Sequence, residues 1–286
     1  MPTSDPIIWF DSIGRQDGAR VGGKNASLGE MASRLGERGI ATPPGFATTT
    51  DAFWGFVDAN QLREPIAEAV RALEAGRMTL AEAGQSIRAA FLKGEWPQET
   101  ARAIETAYLR LCRENGGTEV GVAVRSSATA EDLPHASFAG QQETFLNVRG
   151  APALLEACRR CFASLFTDRA IAYRATHGFD HAKVALSIGV QIMVRADRGA
   201  AGVMFSIDPE TGFDKIVVIN LTYTRCRGSC PVTNARIIQL RRMLEPEFGK
   251  RIAFLSISID PEHDSPQVLA ECSARFRKND TPDLPP

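Results

Sequence analysis

The stretch that most constrains this chain covers residues 120–148, VGVAVRSSATAEDLPHASFAGQQETFLNV. Alternating apolar residues at 120–124 predict a strand that delivers Arg125 at its polar end. Small hydroxyl residues follow, then FAGQQE at 138–143 and a second short strand at 144–148. A guanidinium at a strand end, followed by hydroxyls and a glycine-hinged loop, suits a polyphosphate. Arginine offers a planar fork to phosphate oxygens, and Gly140 lets the backbone approach an anion closely. An ordinary surface hairpin with a solvated arginine has the same composition. Taken alone, the stretch leaves both readings open.

Earlier in the chain, residues 7–10 read as a short strand leading to GGKNASLGEM at 22–31, a glycine-paired turn that opens into a helix to about Leu35. Lys24 at a helix start can meet a phosphate, because the first-turn amides and the helix dipole attract an anion. The longer spacing of a Walker A loop is absent, and a solvated lysine fits the same residues. The threonines at 48–50 can cap a helix over 51–59. Helical spacing then predicts segments near 65–73, 79–91 and 97–113, and one long helix over 151–176. An apolar strand is expected at 183–194, with shorter ones at 201–206 and 216–219 and turns between them. Strands with mixed helical cover give an α/β (α+β) class without regular Rossmann alternation.

Composition narrows the function classes. The chain has 286 residues, is 44% apolar and carries a formal net charge of −1, an ordinary globular balance. Such a charge makes no electrostatic case for nucleic acid or a membrane surface. No run of about 18 apolar residues suggests a transmembrane helix, and the N-terminus does not read as a signal peptide, so a cytoplasmic location is expected. Cys158 and Cys161 recur with Leu154 and Leu165 at helical spacing and read as core residues. Their spacing also allows a metal pair, but no second pair lies nearby.

Three segments, GGKNASLGEM at 22–31, VAVRSSATAEDLPHASFAGQQETFLNV at 122–148 and VQIMVRADRGAAGVMFSIDPETG at 190–212, resemble in order the N-terminal nucleotide-binding domain of the phosphoenolpyruvate synthase (pyruvate, water dikinase) family. The resemblance covers roughly residues 7–220. It implies an ATP-grasp-like domain that binds ATP, with Mg2+, and passes phosphate towards pyruvate through a histidine on another domain. By motif it gives Lys24 and Arg125 to the phosphates, residues Ser137, Gly140 and Gln141 to a loop closing over them, and Gln191 and Met193 to the adenine. Core packing would account for Met193 equally well. Phosphoryl transfer rests mostly on positioning and charge neutralisation, which makes the two cations the central residues. None of the four histidines stands in the family's carrier context.

After Asn220 the sequence changes kinship. LTYTRCRGSCPVTNARIIQLRRML, followed by FGKRIAFLSISIDPEHDSP, resembles the SCO1/SenC copper-chaperone family, in which a strand ends in C-x-x-x-C at a helix start and the next strand ends in D-P-x-x-D-[ST]-P. The resemblance implies a partial thioredoxin-like βαβ fragment over 221–274, with copper or disulfide chemistry at Cys226 and Cys230, whose thiols a helix N-terminus would acidify. The family's histidine ligand has no counterpart, since His263 lies within the D-P-x-x-D turn. Copper delivery of this kind takes place outside the cytoplasm, in conflict with the first 220 residues. The chain therefore reads as two incomplete family members, 1–220 and 221–274, joined without a linker, with a disordered tail at 275–286. A gene rearrangement, a frameshift or an assembly error is the simplest account of such a join, ahead of a working fusion, and an inactive chimeric fragment is the alternative reading of the product.

Overall fold

The computed structural model describes residues 5–129, 132–133, 136–137, 143–195, 202–205, 216–225, 229–244, 252–260 and 262–278. In chain order the elements are β1 (Ile7–Trp9), α1 (Gly18–Gly36), β2 (Gly45–Thr48), α2 (Thr50–Ala59), α3 (Arg63–Glu74), α4 (Leu80–Lys93), α5 (Gln98–Glu114), β3 (Val122–Ala128), β4 (Asp132–Leu133), β5 (Ala136–Ser137), β6 (Thr144–Val148), α6 (Ala151–Ser164), α7 (Asp168–Thr176), β7 (Leu186–Ile192), β8 (Gly202–Phe205), β9 (Ile216–Thr222), α8 (Ser229–Met243), β10 (Ile252–Ser258) and α9 (Pro266–Lys278). They form a mixed α/β protein of two compact units, Met1–Val194 and Arg195–Pro286.

The first unit is built on a sheet of order β1-β2-β7-β3-β6 in which every pairing is antiparallel. The period of two sorts β7 and β3 into faces. Leu186, Ile188 and Val190 of β7 join Val122, Val124 and Ala128 of β3 in the main core. The alternate residues Ser187, Gly189 and Gln191 face the other way, as do Arg125 and Ser127. On the core side, α2, α4 and α6 bring Phe53, Phe56, Phe91 and Phe162 into edge-on and stacked contact. On the opposite side, α1 packs Val21 and Ala26 with Phe10, Ile13 and Ala47.

Local chemistry fixes the helix ends. Thr49 caps α2 by accepting from the Ala52 amide. Thr79 and Glu82 form a reciprocal capping box that starts α4. The expected long helix over 151–176 is two helices. Thr167 accepts from the Ala170 amide and starts α7, while the buried Leu165 and Phe166 turn the chain between them. A competing cap with two apolar anchors outweighs continuous helical periodicity. At the far end, α9 continues to Lys278, four residues into the segment expected to be disordered.

In the second unit the sheet order is β10-β9-β8, with β9 antiparallel to β8 and parallel to β10. The parallel pair is joined through α8, a β-α-β crossover. The Asp264 carboxylate accepts from the Thr224 amide at 3.0 Å, from the Thr224 hydroxyl and from the Ser258 hydroxyl at 2.6 Å, which ties the ends of β9 and β10 together.

One buried pair in the first unit sets a pH dependence. The Arg174 side chain is fully buried in α7 and donates from Nη1 to the Leu165 carbonyl (2.6 Å) and from Nε to His181 Nδ1 (2.9 Å). Since Nδ1 accepts, the neutral imidazole carries its proton on Nε2. Burial, and then the neighbouring Arg174 charge, push the His181 pKa down to about 4, against a smaller opposing pull from Asp180. The folded state therefore stays neutral at pH values where the unfolded chain takes up a proton. Stability is full above about pH 6.5 and falls as pH drops towards 4. His181 is partly solvated, so the loss between pH 7 and pH 5 should be roughly 1 kcal/mol. The unfolding free energy from urea titration should fall by that much more in the native sequence than in His181→Gln; equal falls in both proteins would refute the coupling.

Candidate functional site

The site grows from a kink. Within α1, Gly22 takes φ 74° and ψ 162°, a left-handed excursion that interrupts the helix. A Cβ there would sit 2.3 Å from Ser127 Oγ and 2.4 Å from the Ser127 carbonyl oxygen, so only glycine permits this approach to β3. The helix restarts directly afterwards. The Asn25 amide donates to Ser127 Oγ at 3.2 Å, and Asn25 Nδ2 donates to Ser187 Oγ at 2.9 Å. Ser187 in turn donates to the Thr48 carbonyl at 2.6 Å, and Thr48 Oγ1 accepts from the Ile188 amide at 3.0 Å. Gly189 leaves room for Asn25 Oδ1, which lies 2.3 Å from where a Cβ would stand. These buried polar groups lock the GGKN turn across β3, β7 and β2.

The lock positions the two cations. Lys24 immediately precedes Asn25, and Arg125 lies two residues before Ser127 on the same face of β3, about 7 Å along the strand. Both side chains are exposed. Arg125 sits opposite Gly189 on β7 and Thr144 on β6. One strand pairing away, Ala123 faces Gln191, which puts Gln191 on the Arg125 face. The buried Gln191 donates from Nε2 to the Pro43 carbonyl at 3.0 Å, and the half-buried Met193 donates its amide to the Gly121 carbonyl at 2.9 Å. This end of β7 is thus a fixed ledge of backbone and amide groups beside the cations.

The remaining expected residues divide differently. Ser137 lies in β5, where its backbone pairs with Asp132 of β4, whereas Gly140 and Gln141 fall outside the described residues. Cys226 also falls outside them, and Cys230 lies in the first turn of α8. Cys158 and Cys161 are buried free thiols whose pKa values burial raises, in keeping with core packing. Among the described residues no three His, Cys, Asp or Glu side chains gather into a metal-binding group. No described helix is long and apolar enough to cross a membrane.

With this geometry in view, comparison with known proteins is informative. A family model described as pyruvate phosphate dikinase, AMP/ATP-binding domain, matches residues 18–227. The chain belongs to that family. Among curated relatives, it is 50% identical to the phosphoenolpyruvate synthases of Neisseria meningitidis serogroup B and of Escherichia coli K12, over 76% of its own length and 28% and 27% of theirs. A probable phosphoenolpyruvate synthase of Methanocaldococcus jannaschii is 45% identical over 74% of this chain and 18% of that protein. The chain thus spans about a quarter of the bacterial relatives it matches. A second model, SCO1/SenC, matches residues 206–282. The two matches overlap over 206–227, a segment that contains β9 and the expected join at Asn220.

Lys24, Arg125, Gln191 and Met193 all lie within the AMP/ATP-binding match and on one side of the first unit's sheet or at its edge. Sequence reading missed the residues that fix the turn and the strand carrying the two cations: Asn25, Ser127, Ser187, Thr48 and the close-packed Gly189. One signal was available, since Ser187 and Gly189 interrupt an otherwise apolar strand at alternate positions and mark a face that meets something other than hydrocarbon. Replacing Asn25 with Ala keeps the backbone donor to Ser127 but removes the side-chain amide and leaves Ser187 short of a partner, which should cost about 1–3 kcal/mol of stability. Gly22→Ala should cost at least as much, through backbone strain and overlap with Ser127. Chemical denaturation should show both losses, and an unchanged midpoint for Gly22→Ala would overturn the interlock.

Proposed function

We propose that the first unit, as an AMP/ATP-binding domain, grips the polyphosphate of ATP between Lys24 and Arg125. The observation that carries this reading is the interlock of Gly22, Asn25 and Ser127, which holds the glycine-preceded lysine and the strand-end arginine on one face of the sheet. Lys24 supplies a compact charge beside the first-turn amides of the restarted helix, and Arg125 offers a bidentate fork. Together they neutralise phosphate charge and hold the chain of phosphates for transfer. The segment from Ser137 to Gln141 closes over the phosphates. At the end of β7, Met193 offers an apolar surface to the adenine ring, and Gln191, anchored on Pro43, holds that ledge in place.

In this reading the unit is ATP-grasp-like, and it serves in a pyruvate, water dikinase, passing phosphate from ATP towards pyruvate by way of a histidine outside this chain. The relatives' printed names and the 45–50% identity support that reading. Magnesium is implied by the same kinship, but the described residues offer it no cluster of ligands, so no step is assigned to it. The second unit, as a β-α-β element matching SCO1/SenC, is thioredoxin-like in this reading. Nothing in its described side chains supports copper.

Isothermal titration of the full chain with millimolar ATP is the direct test. The native sequence should bind, and Arg125→Met and Lys24→Met should each weaken binding at least tenfold, with far-UV circular dichroism unchanged. Absence of binding by the folded native chain, or native affinity retained in both variants, would sink the proposal.

A further inference from the structure

The first unit holds a cavity that the nucleotide reading does not use. α3, the start of α4, α7 and the turn at 178–182 enclose a groove of about 800 Å³, within the size range of small-molecule sites. Ile66, Leu73, Leu80, Ile171 and Phe179 give it apolar walls, and His181 lies among them. Ile66 and Ile171 also belong to the main core, so the groove lies on the helical side of the sheet, opposite the face that carries Arg125.

Behind His181 stands an unanswered charge. Arg174 is fully buried, and its guanidinium donates only to neutral partners, the Leu165 carbonyl and His181 Nδ1. Burial lowers its pKa to about 10, which still leaves it charged at neutral pH. Its Nη2 has no hydrogen-bond partner, and among the described residues no carboxylate pairs with it. The Phe166 ring, 5.3 Å away, offers only the weak attraction of an aromatic face. A buried cation without a counter-ion is costly. The charged side chains on the groove walls do not answer it. Arg71 pairs with Glu64, Asp180 accepts from the Ala182 amide and faces Lys183, and Glu74 is exposed at the end of α3. With Nδ1 held by Arg174, His181 keeps Nε2–H as its remaining donor.

We propose that the groove binds a small apolar monocarboxylate, whose body lies along the apolar walls and whose carboxylate accepts from His181 Nε2 within the field of Arg174. Two contrasts select this class. A neutral apolar molecule would leave the field of Arg174 unanswered, and a polyphosphate would lose hydration against walls that offer it few donors. The site is separate from Lys24 and Arg125, so it stands or falls independently of the nucleotide reading.

Isothermal titration of the full chain with octanoate, and with octanamide as its uncharged counterpart, tests both halves of the proposal. Octanoate should bind one to one at millimolar concentration or below, and octanamide about tenfold more weakly. Ala175→Trp fills the groove from the exposed side of α7 and should weaken octanoate about tenfold; Ala67→Trp, on α3, should do the same from the facing wall. His181→Leu keeps an apolar wall without the donor, and should abolish the preference for octanoate over octanamide. Circular dichroism and urea midpoints check that each variant keeps its fold, and the comparison of the two ligands on the native chain needs no variant at all. Absence of octanoate binding, equal affinity for octanoate and octanamide, or binding that survives both tryptophan variants would overturn the proposal.

Discussion

The first unit depends on a hydrogen bond between a helix and a strand that are distant in sequence. Asn25 reaches from α1 to Ser127 on β3 and Ser187 on β7, and Ser187 continues the chain to Thr48 on β2. Three strands of one sheet and the helix above them thereby share a buried polar seam. Such a seam is costly when half-satisfied and rigid when complete, so it selects one docking position of α1 where hydrocarbon contact alone would tolerate several. The two cations inherit their placement from it. Each is exposed, yet neither can drift far from its neighbour in the seam.

A second fastening holds the hairpin that presents Arg125. The Tyr108 hydroxyl donates to the Val120 carbonyl and accepts from the Gly150 amide, both at 2.9 Å, so α5 grips the chain just before β3 and just after β6. Within the hairpin the register slips between Val122 and Val124, and Asn147 adopts φ 57°. A bulge at this point twists the edge strand, and an asparagine in a left-handed conformation is among the cheapest ways to make one. The open side of the sheet is thus shaped by its edge as well as by α1.

Much of this architecture was legible in the residues. Helical spacing located α2 to α5, the threonine run announced the cap of α2, and VAVRSS announced β3 with its arginine. The helix break before Thr167 was not legible, because Leu154, Cys158, Cys161 and Leu165 keep helical spacing up to the break itself. The seam escaped for another reason. Asn25 and Ser187 are 162 positions apart, and no local pattern shows that two modest polar residues will be partners. The motifs disclosed the cations by their charge, while the groups that orient them are neutral and ordinary in composition.

Strand β9 lies in the segment matched by both families and pairs with neighbours on either side, β8 within the dikinase-type match and β10 within the SCO1/SenC match alone. A strand recognises its neighbours through backbone groups that every residue carries, and it assigns side chains to faces only by odd and even position. Sequences of separate descent can therefore share one strand, provided the seam between them preserves parity. Were IVVINLTYT one residue longer or shorter, Asn220 would exchange faces with its apolar neighbours and lose its meeting with Asn234. Parity is the grammar that lets such a sheet close.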